Sequence, residues 1–305
     1  MADTHWKLRS DLEIHPEADS GIILKDPISN GFYRFTPIQA SVLELLNGEL
    51  DLETVAHRVS QRHQTEVREE QIKDFVGKLQ KLALLDHPFS WSQLEKASKR
   101  KRRVIQNLLS IKIHAFNPDR LLADLERRFR FCFTSGFAFS ALTVALVAAV
   151  IGILNWESLF LSIGSIINAY SIPLIVTVVF AITTIHEFAH GVALKHLGGK
   201  VNEMGLMILY FIPAFYCNVT DAWMLGKRQR IWVSLAGSYI QIFLLSLAII
   251  AWRLLAPETL FSRVCLITIG FTLIQTLFNF NPLIRMDGYY VLSDWMELPN
   301  LRSKA

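Results

Sequence analysis

Hydrophobic and polar positions follow one rule up to about residue 90 and another after about residue 130. In the first stretch apolar side chains recur at short periods. Three strand-like runs, Asp11–His15, Gly21–Lys25 and Gly31–Phe35, are parted by Pro, Asp, Ser and Asn turns. Thr36-Pro37 offers an N-cap with Pro at the first helical position, which predicts a helix over Ile38–Leu46 closed by Asn47-Gly48. Asp51 caps a second helix, from Leu52 to about Gln64. A third runs from about Arg68 to Leu85, with Ile72, Phe75, Val76, Leu79 and Leu82 on one face. Strands followed by three helices make a winged-helix arrangement, an α+β domain over residues 1–90.

After residue 130 the pattern becomes long uncharged runs. Four of them, Phe131–Leu154, Tyr170–Leu194, Ile231–Trp252 and Val264–Asn281, reach the length of about 20 residues that a spanning helix needs. Met204–Thr220 is also uncharged but is broken by Gly205 and Pro213. It reads as a re-entrant strand or hairpin, since a fifth span would invert the fourth. Such backbone is tolerated at membrane depth only where protein or a water-filled cavity covers it. An exposed strand edge there could hold an extended peptide by β-addition; a hairpin with no substrate role fits the residues equally. The expected fold class is therefore a multi-span α-helical membrane protein. It has about four transmembrane helices plus a re-entrant β element, and an N-terminal α+β winged-helix domain.

Charge orients the spans. Arg127, Arg128 and Arg130 precede the first, and Lys99-Arg100-Lys101-Arg102-Arg103 lies further upstream, so the N-terminus is expected in the cytoplasm. The loop Asn155–Ala169 holds no Lys or Arg. Lys195, Lys200, Lys227, Arg228 and Arg230 follow the second span, and only Arg253 and Arg263 separate the third from the fourth. The second and fourth spans then both end at the cytoplasmic face. Residues 91–130 read as a basic, amphipathic interfacial linker, alternating apolar and basic positions over Leu108–Arg128. The transmembrane core is 131–305.

Composition agrees: 51% of residues are hydrophobic and the mean hydropathy is +0.31. The net charge of +4 implies no strong field for nucleic acid. A winged helix beside the cationic run could bind DNA, but the run sits close to the first span, where attraction to anionic lipid explains it. Cys132, Cys217 and Cys265 have no metal-ligand spacing and read as reduced structural thiols. The polar N-terminus reads as no cleavable signal peptide, which leaves the first span as the membrane signal. His5, His15, His57, His63, His87 and His114 have no partner motif around them and read as surface or packing residues.

The chemistry concentrates at His186-Glu187-Phe188-Ala189-His190, inside the second apolar run. Two His at i and i+4 project from one helix face and can share a Zn²⁺, with the adjacent Glu placed to act on a metal-activated water. Ionisable groups at membrane depth are expensive and mark function. A zinc site needs a third protein ligand and leaves the fourth position open. Far downstream, after the fourth run, the chain reads Asn279-Phe280-Asn281-Pro282-Leu283-Ile284-Arg285-Met286-Asp287-Gly288.

Together these segments resemble the site-2 protease family of intramembrane zinc metalloproteases, whose second motif is NxxPxxxLDG. Asn279, Pro282, Asp287 and Gly288 match it, and Met286 replaces Leu, a volume-conserving swap. The resemblance implies Asp287 as third zinc ligand beside His186 and His190. Ala236-Gly237-Ser238-Tyr239-Ile240-Gln241 is similar to the family's GPxxN element, with Ser238 for Pro and Gln241 for Asn. Small residues there also let membrane helices approach closely. The N-terminal segments Lys25-Asp26-Pro27, Phe32-Tyr33-Arg34-Phe35 and Leu45-Leu46-Asn47-Gly48 resemble PqqD-like peptide-recognition domains, which take up a precursor's leader along a strand edge beside their third helix. The whole is similar to the peptide zinc metalloproteases. Related proteins often continue past this point, so the sequence reads as a short member or a fragment.

The reading is a membrane zinc metalloendopeptidase with one Zn²⁺ on His186, His190 and Asp287. Glu187 is the general base and acid. Asn279 or Asn281 would help hold the oxyanion or substrate backbone; Asn279 could equally cap or pack the end of the fourth span. The expected partners are a peptide or membrane-protein substrate, membrane lipids, and a transporter or peptide-modifying enzyme, with nucleic acid disfavoured. The expected location is a bacterial inner membrane, multi-pass. Three alternatives remain: a regulatory intramembrane protease of an anti-sigma-type substrate, a non-catalytic peptide-binding component of an export or immunity system, and a DNA-binding membrane regulator.

Overall fold

A computed structural model describes residues 6–16, 21–28, 31–86, 110–166, 171–209, 212–284 and 286–296. The basic run at 99–103, His5, His87 and Arg285 lie outside the described residues. The chain divides into two compact units, residues 1–105 and 106–305.

In the first unit β1 (Glu13–Pro16), β2 (Ile22–Asp26) and β3 (Gly31–Phe35) form an antiparallel sheet in sequence order. Three helices follow: α1 (Pro37–Leu45), α2 (Leu52–His63) and α3 (Glu69–Lys81). Each start has a local cause. The Thr36 hydroxyl accepts from Gln39 N while Gln39 Oε1 accepts from Thr36 N, a reciprocal capping box. Asp51 Oδ1 accepts from Thr54 N at 3.2 Å. The strands and the three helices follow in the expected order, but α3 stops four residues short of Leu85. Ala83 takes a positive φ of 58°, and the chain turns so that Leu84 and Leu85 enter the core. That core is Leu24, Val55, Val59, Leu79 and their neighbours, with Phe35 edge-on to Phe75. Charged groups are buried beside it: Arg9 donates to Asp26 Oδ1 at 2.8 Å and to the Ala83 carbonyl at 2.8 Å.

The second unit begins with β4 (Ser110–Phe116) and α4 (Asp119–Phe129), then a short 3-10 turn, Arg130–Phe133. Next come α5 (Ser135–Leu154), α6 (Trp156–Ser165) and α7 (Ile172–His196). The strands β5 (Met204–Leu209) and β6 (Ile212–Cys217) lead through a 3-10 turn, Thr220–Met224, into α8 (Lys227–Leu254), α9 (Leu260–Asn279) and α10 (Asp287–Trp295). Among the described residues four helices, α5, α7, α8 and α9, are long and apolar enough to cross a membrane, as a multi-pass membrane protein requires. The long helix α8 packs against α5, α7, α9 and α10.

Segments of the second unit differ from the sequence expectation. The Asn155–Ala169 loop is mostly helix α6. The interfacial segment Leu108–Arg128 carries β4, which pairs antiparallel with β5. The expected hairpin β5–β6 is present, but as two-thirds of a sheet ordered β4-β5-β6. Periodicity reports which face of a strand is apolar, not which distant strand lies beside it, so this pairing is not readable locally.

Candidate metal centre

His186 and His190 lie in the second half of α7, one turn apart on the same face, and both are buried. The face they share meets α8 at Gly237. A Cβ there would overlap His186 Cε1 and lie 2.5 Å from His190 Nε2, so only glycine lets the two rings rest on the α8 backbone. Asp287 opens α10. Its neighbour Gly288 presses on the end of α9, where a Cβ would lie 2.7 Å from the Asn279 carbonyl.

These two segments, far apart in sequence, converge. His186 Nε2 is 3.1 Å from Asp287 Oδ2, His190 Nε2 is 3.4 Å from Asp287 Oδ1, and the two Nε2 atoms are 3.1 Å apart. One donor atom from each residue fits within 4.8 Å of the others. His190 Nδ1 lies 2.7 Å from the Val233 carbonyl, an acceptor, so Nδ1 carries the ring proton and Nε2 presents a lone pair. That lone pair faces a carboxylate and a second imidazole nitrogen, an arrangement that asks for a cation at its centre. Two imidazoles and one carboxylate, with a fourth position left over, fit a catalytic zinc ion.

Glu187, between the two His, lines the same cleft as His190 and Asp287. Its Oε2 accepts from Cys217 N, the last residue of β6, at 3.0 Å. The cleft has a volume of about 380 Å³, and its walls also include Trp223, Arg230 and Tyr290.

Over 141 residues, 45% of this chain, the sequence is 26% identical to the "Putative peptide zinc metalloprotease protein YydH" of Bacillus subtilis (strain 168). The match takes in 53% of that protein, so the chain spans about half the length of the relative it matches. No family model matches the chain, and no solved structure matches it.

Other sequence-chosen residues sit differently. Asn279 is buried at the end of α9 and its Nδ2 has no hydrogen-bond partner among the described residues. Asn281 Oδ1 accepts from Leu283 N at 3.0 Å, which closes a turn. Neither lines the cleft. Gln241, fully buried in α8, donates to Gln275 Oε1 of α9 at 2.7 Å.

Arg230 and Asp294 were not singled out by the sequence. Arg230 is buried at the start of α8, donates to Asp294 Oδ1 at 2.8 Å and to the Leu225 carbonyl at 3.0 Å, and stands 5.6 Å from the Trp223 ring. In the sequence Arg230 counts only as one more positive charge in a loop. The usable signal was on the other partner: Asp294 lies two helical turns after Asp287, so whatever brings Asp287 inward brings Asp294 to the same face.

Proposed function

We propose that this chain is a membrane-embedded zinc metalloendopeptidase of the site-2 protease type. The single observation that carries the reading is the convergence of His186 and His190 with Asp287 at one end of the apolar helices. The name of the B. subtilis relative supports a peptide-directed zinc metalloprotease.

His186, His190 and Asp287 would hold the zinc, which when bound supplies Lewis acidity to the site. Glu187 takes the proton of the attacking water and returns it to the leaving amine. The Cys217 N–H fixes that carboxylate toward the cleft. The same bond orients the strand. Cys217 N–H points outward to Glu187, while the next N–H, of Asn218, turns back to the Glu203 carbonyl. By the alternation of a strand, the N–H and C=O of Phe215 also face the outer edge. An extended substrate added to that edge would run past Glu187.

The substrate is a ribosomally made precursor peptide whose leader binds the N-terminal unit, a reading that rests on the PqqD-like resemblance. Lys195, Lys200, Lys227 and Arg228 gather at the metal end, which favours a cytoplasmic placement in a bacterial inner membrane.

Elemental analysis of detergent-purified parent and Asp287→Ala protein tests the site. About one zinc per chain is expected in the parent, with loss or weakening in the variant. Glu187→Gln is expected to keep its zinc and lose turnover of a precursor peptide by about 10²–10⁴-fold. A parent that stays metal-free in added zinc overturns the enzyme reading. Full zinc in Asp287→Ala strikes that residue from the ligand set.

A further inference from the structure

On the side of α7 away from the cleft lies a second cavity, also of about 380 Å³. Leu125, Phe129 and Cys132 line it from α4 and the turn after it, Phe188 and Val192 from α7, and Ile240 from α8. The walls are almost wholly apolar, and the volume falls in the usual range for a ligand site, roughly 300–1,000 Å³. An apolar hollow left empty forfeits dispersion contacts along its whole lining.

A charge on the helix turn beside the lining points to the occupant. Arg128 stands three residues after Leu125 and four before Cys132, so it borders the same helical stripe as the cavity wall. It is exposed and has no ion pair among the described residues, whereas its neighbour Arg127 is paired with Asp124. Phe129, Phe131 and Phe133 are exposed beside it. Arg residues just before a span mark the cytoplasmic headgroup level of a bilayer. The cavity wall at Leu125, Phe129 and Cys132 thus lies beside the turn where a lipid's phosphate would meet Arg128.

We infer that this cavity is a binding site for one anionic phospholipid, with an acyl chain between α4 and α7–α8 and the headgroup phosphate on Arg128. The site braces the zinc-binding helix. Lys195 donates to Asp119 Oδ2 at 2.6 Å, His196 Nδ1 meets Glu126 Oε1 at 2.8 Å, and the His196 ring stacks on Phe133. The lipid completes that wall along Phe188 and Val192, on the face opposite Glu187. The inference rests on membrane embedding and not on the chemistry proposed for the metal.

The test reads bound lipid. Delipidated full-length protein is titrated with phosphatidylglycerol or phosphatidylcholine of identical chains and followed by native mass spectrometry. The parent is expected to retain one phosphatidylglycerol per chain, about fivefold more tightly than phosphatidylcholine, the equivalent of about 1 kcal/mol for one cation near a phosphate. Arg128→Gln, an exposed substitution that leaves the fold intact, is expected to erase the preference but keep the lipid. Cys132→Trp fills the cavity and is expected to release both lipids. Equal retention of the two lipids by the parent, or an unchanged preference in Arg128→Gln, overturns the inference. Because proteolysis is not measured, either result leaves the metal-site reading standing.

Discussion

The interiors of the two units differ in how much polar chemistry they hold. In the first unit the buried side chains are mostly apolar, Leu24, Val55, Val59, Leu79 and Leu84 among them, with Arg9, Lys25 and Asp26 as buried charged groups among the described residues. In the second, large apolar residues such as Ile153, Leu254 and Leu277 face out, while His186, His190, Ser238, Gln241, Thr272 and Asn279 are buried. Water drives the first arrangement by expelling apolar surface. Around the second, the bilayer that the proposed function requires is as apolar as leucine, so that force vanishes between helices and contacts between small and polar groups hold them instead. Buried polarity is therefore sparse in one unit and gathers at the candidate metal site and the helix seams of the other.

One substitution made twice would break this comparison most sharply. Leu79→Ala in α3 removes a side chain with no exposed surface and is expected to cost about 2–5 kcal/mol. Leu277→Ala in α9, which is 76% exposed, is expected to stay within about 0.5 kcal/mol in a bilayer. Hydrogen exchange of each unit in lipid nanodiscs measures both. Similar losses at the two sites would remove the distinction.

Gly237→Ala comes next in size. The added methyl must push both histidine rings off α8, so zinc affinity is expected to fall about 10–100-fold, as when the supports of metal ligands are disturbed. Competition with a chelator reads it. Unchanged affinity would show that the rings do not depend on the close approach of α7 and α8.

These contrasts also set how much the sequence disclosed. Helices α1 and α2, the end of α5 at Leu154 and both ends of α7 to within two residues were legible because caps and uncharged runs are local signals, whereas α5 starts at Ser135 and not Phe131 because a 3-10 turn precedes it. His186, Glu187 and His190 were legible from one-turn spacing, and Asp287 came from a resemblance. The lost pieces share a cause. The pairing of β4 with β5, the partnership of Arg230 with Asp294, and the placement of Arg9 beside Asp26 each join residues far apart in sequence. Hydropathy also located the spans without saying which face of each turns inward, since an all-apolar helix carries little periodic pattern.

A smaller effect is expected at the joint between α4 and α7. Asp119 accepts from Lys195 Nζ and, at 3.2 Å, from Val201 N. Burial raises the pKa of its carboxyl, but these two donors and the charges of Lys195 and Lys200 outweigh it and hold the group below its ordinary value. A carboxyl depressed in the folded state stabilises above its unfolded pKa, about 3.9, and that support is lost as pH falls through the folded value. Exchange protection over Asp119–Phe129 is expected to fall below about pH 4 in the parent and to be flat there in Asp119→Asn. A parent profile as flat as the variant's would mean that the joint carries no linkage.

The smallest expected effect falls where the two kinds of interior differ most in principle. Gln241 and Gln275 face each other across α8 and α9 with a 2.7 Å hydrogen bond, and Gln241 has no exposed surface. In a water-soluble core, a buried amide stripped of its partner carries a desolvation penalty of about 1–3 kcal/mol. In a membrane protein the separated helices find other partners for it, and such bonds average about 0.6 kcal/mol. A double-mutant cycle with Gln241→Leu, Gln275→Leu and the pair is therefore expected to give a coupling of about 0.6 kcal/mol. It is read from unfolding in mixed detergent, with zinc content held fixed. Gln241 Oε1 has no partner among the described residues, so the double variant also relieves a buried polar atom and is expected to be at least as stable as either single one. A coupling of roughly 2 kcal/mol or more, as in a water-soluble core, would mean that this seam behaves like the core of the first unit. The division between the two interiors would then be one of composition and not of energetics.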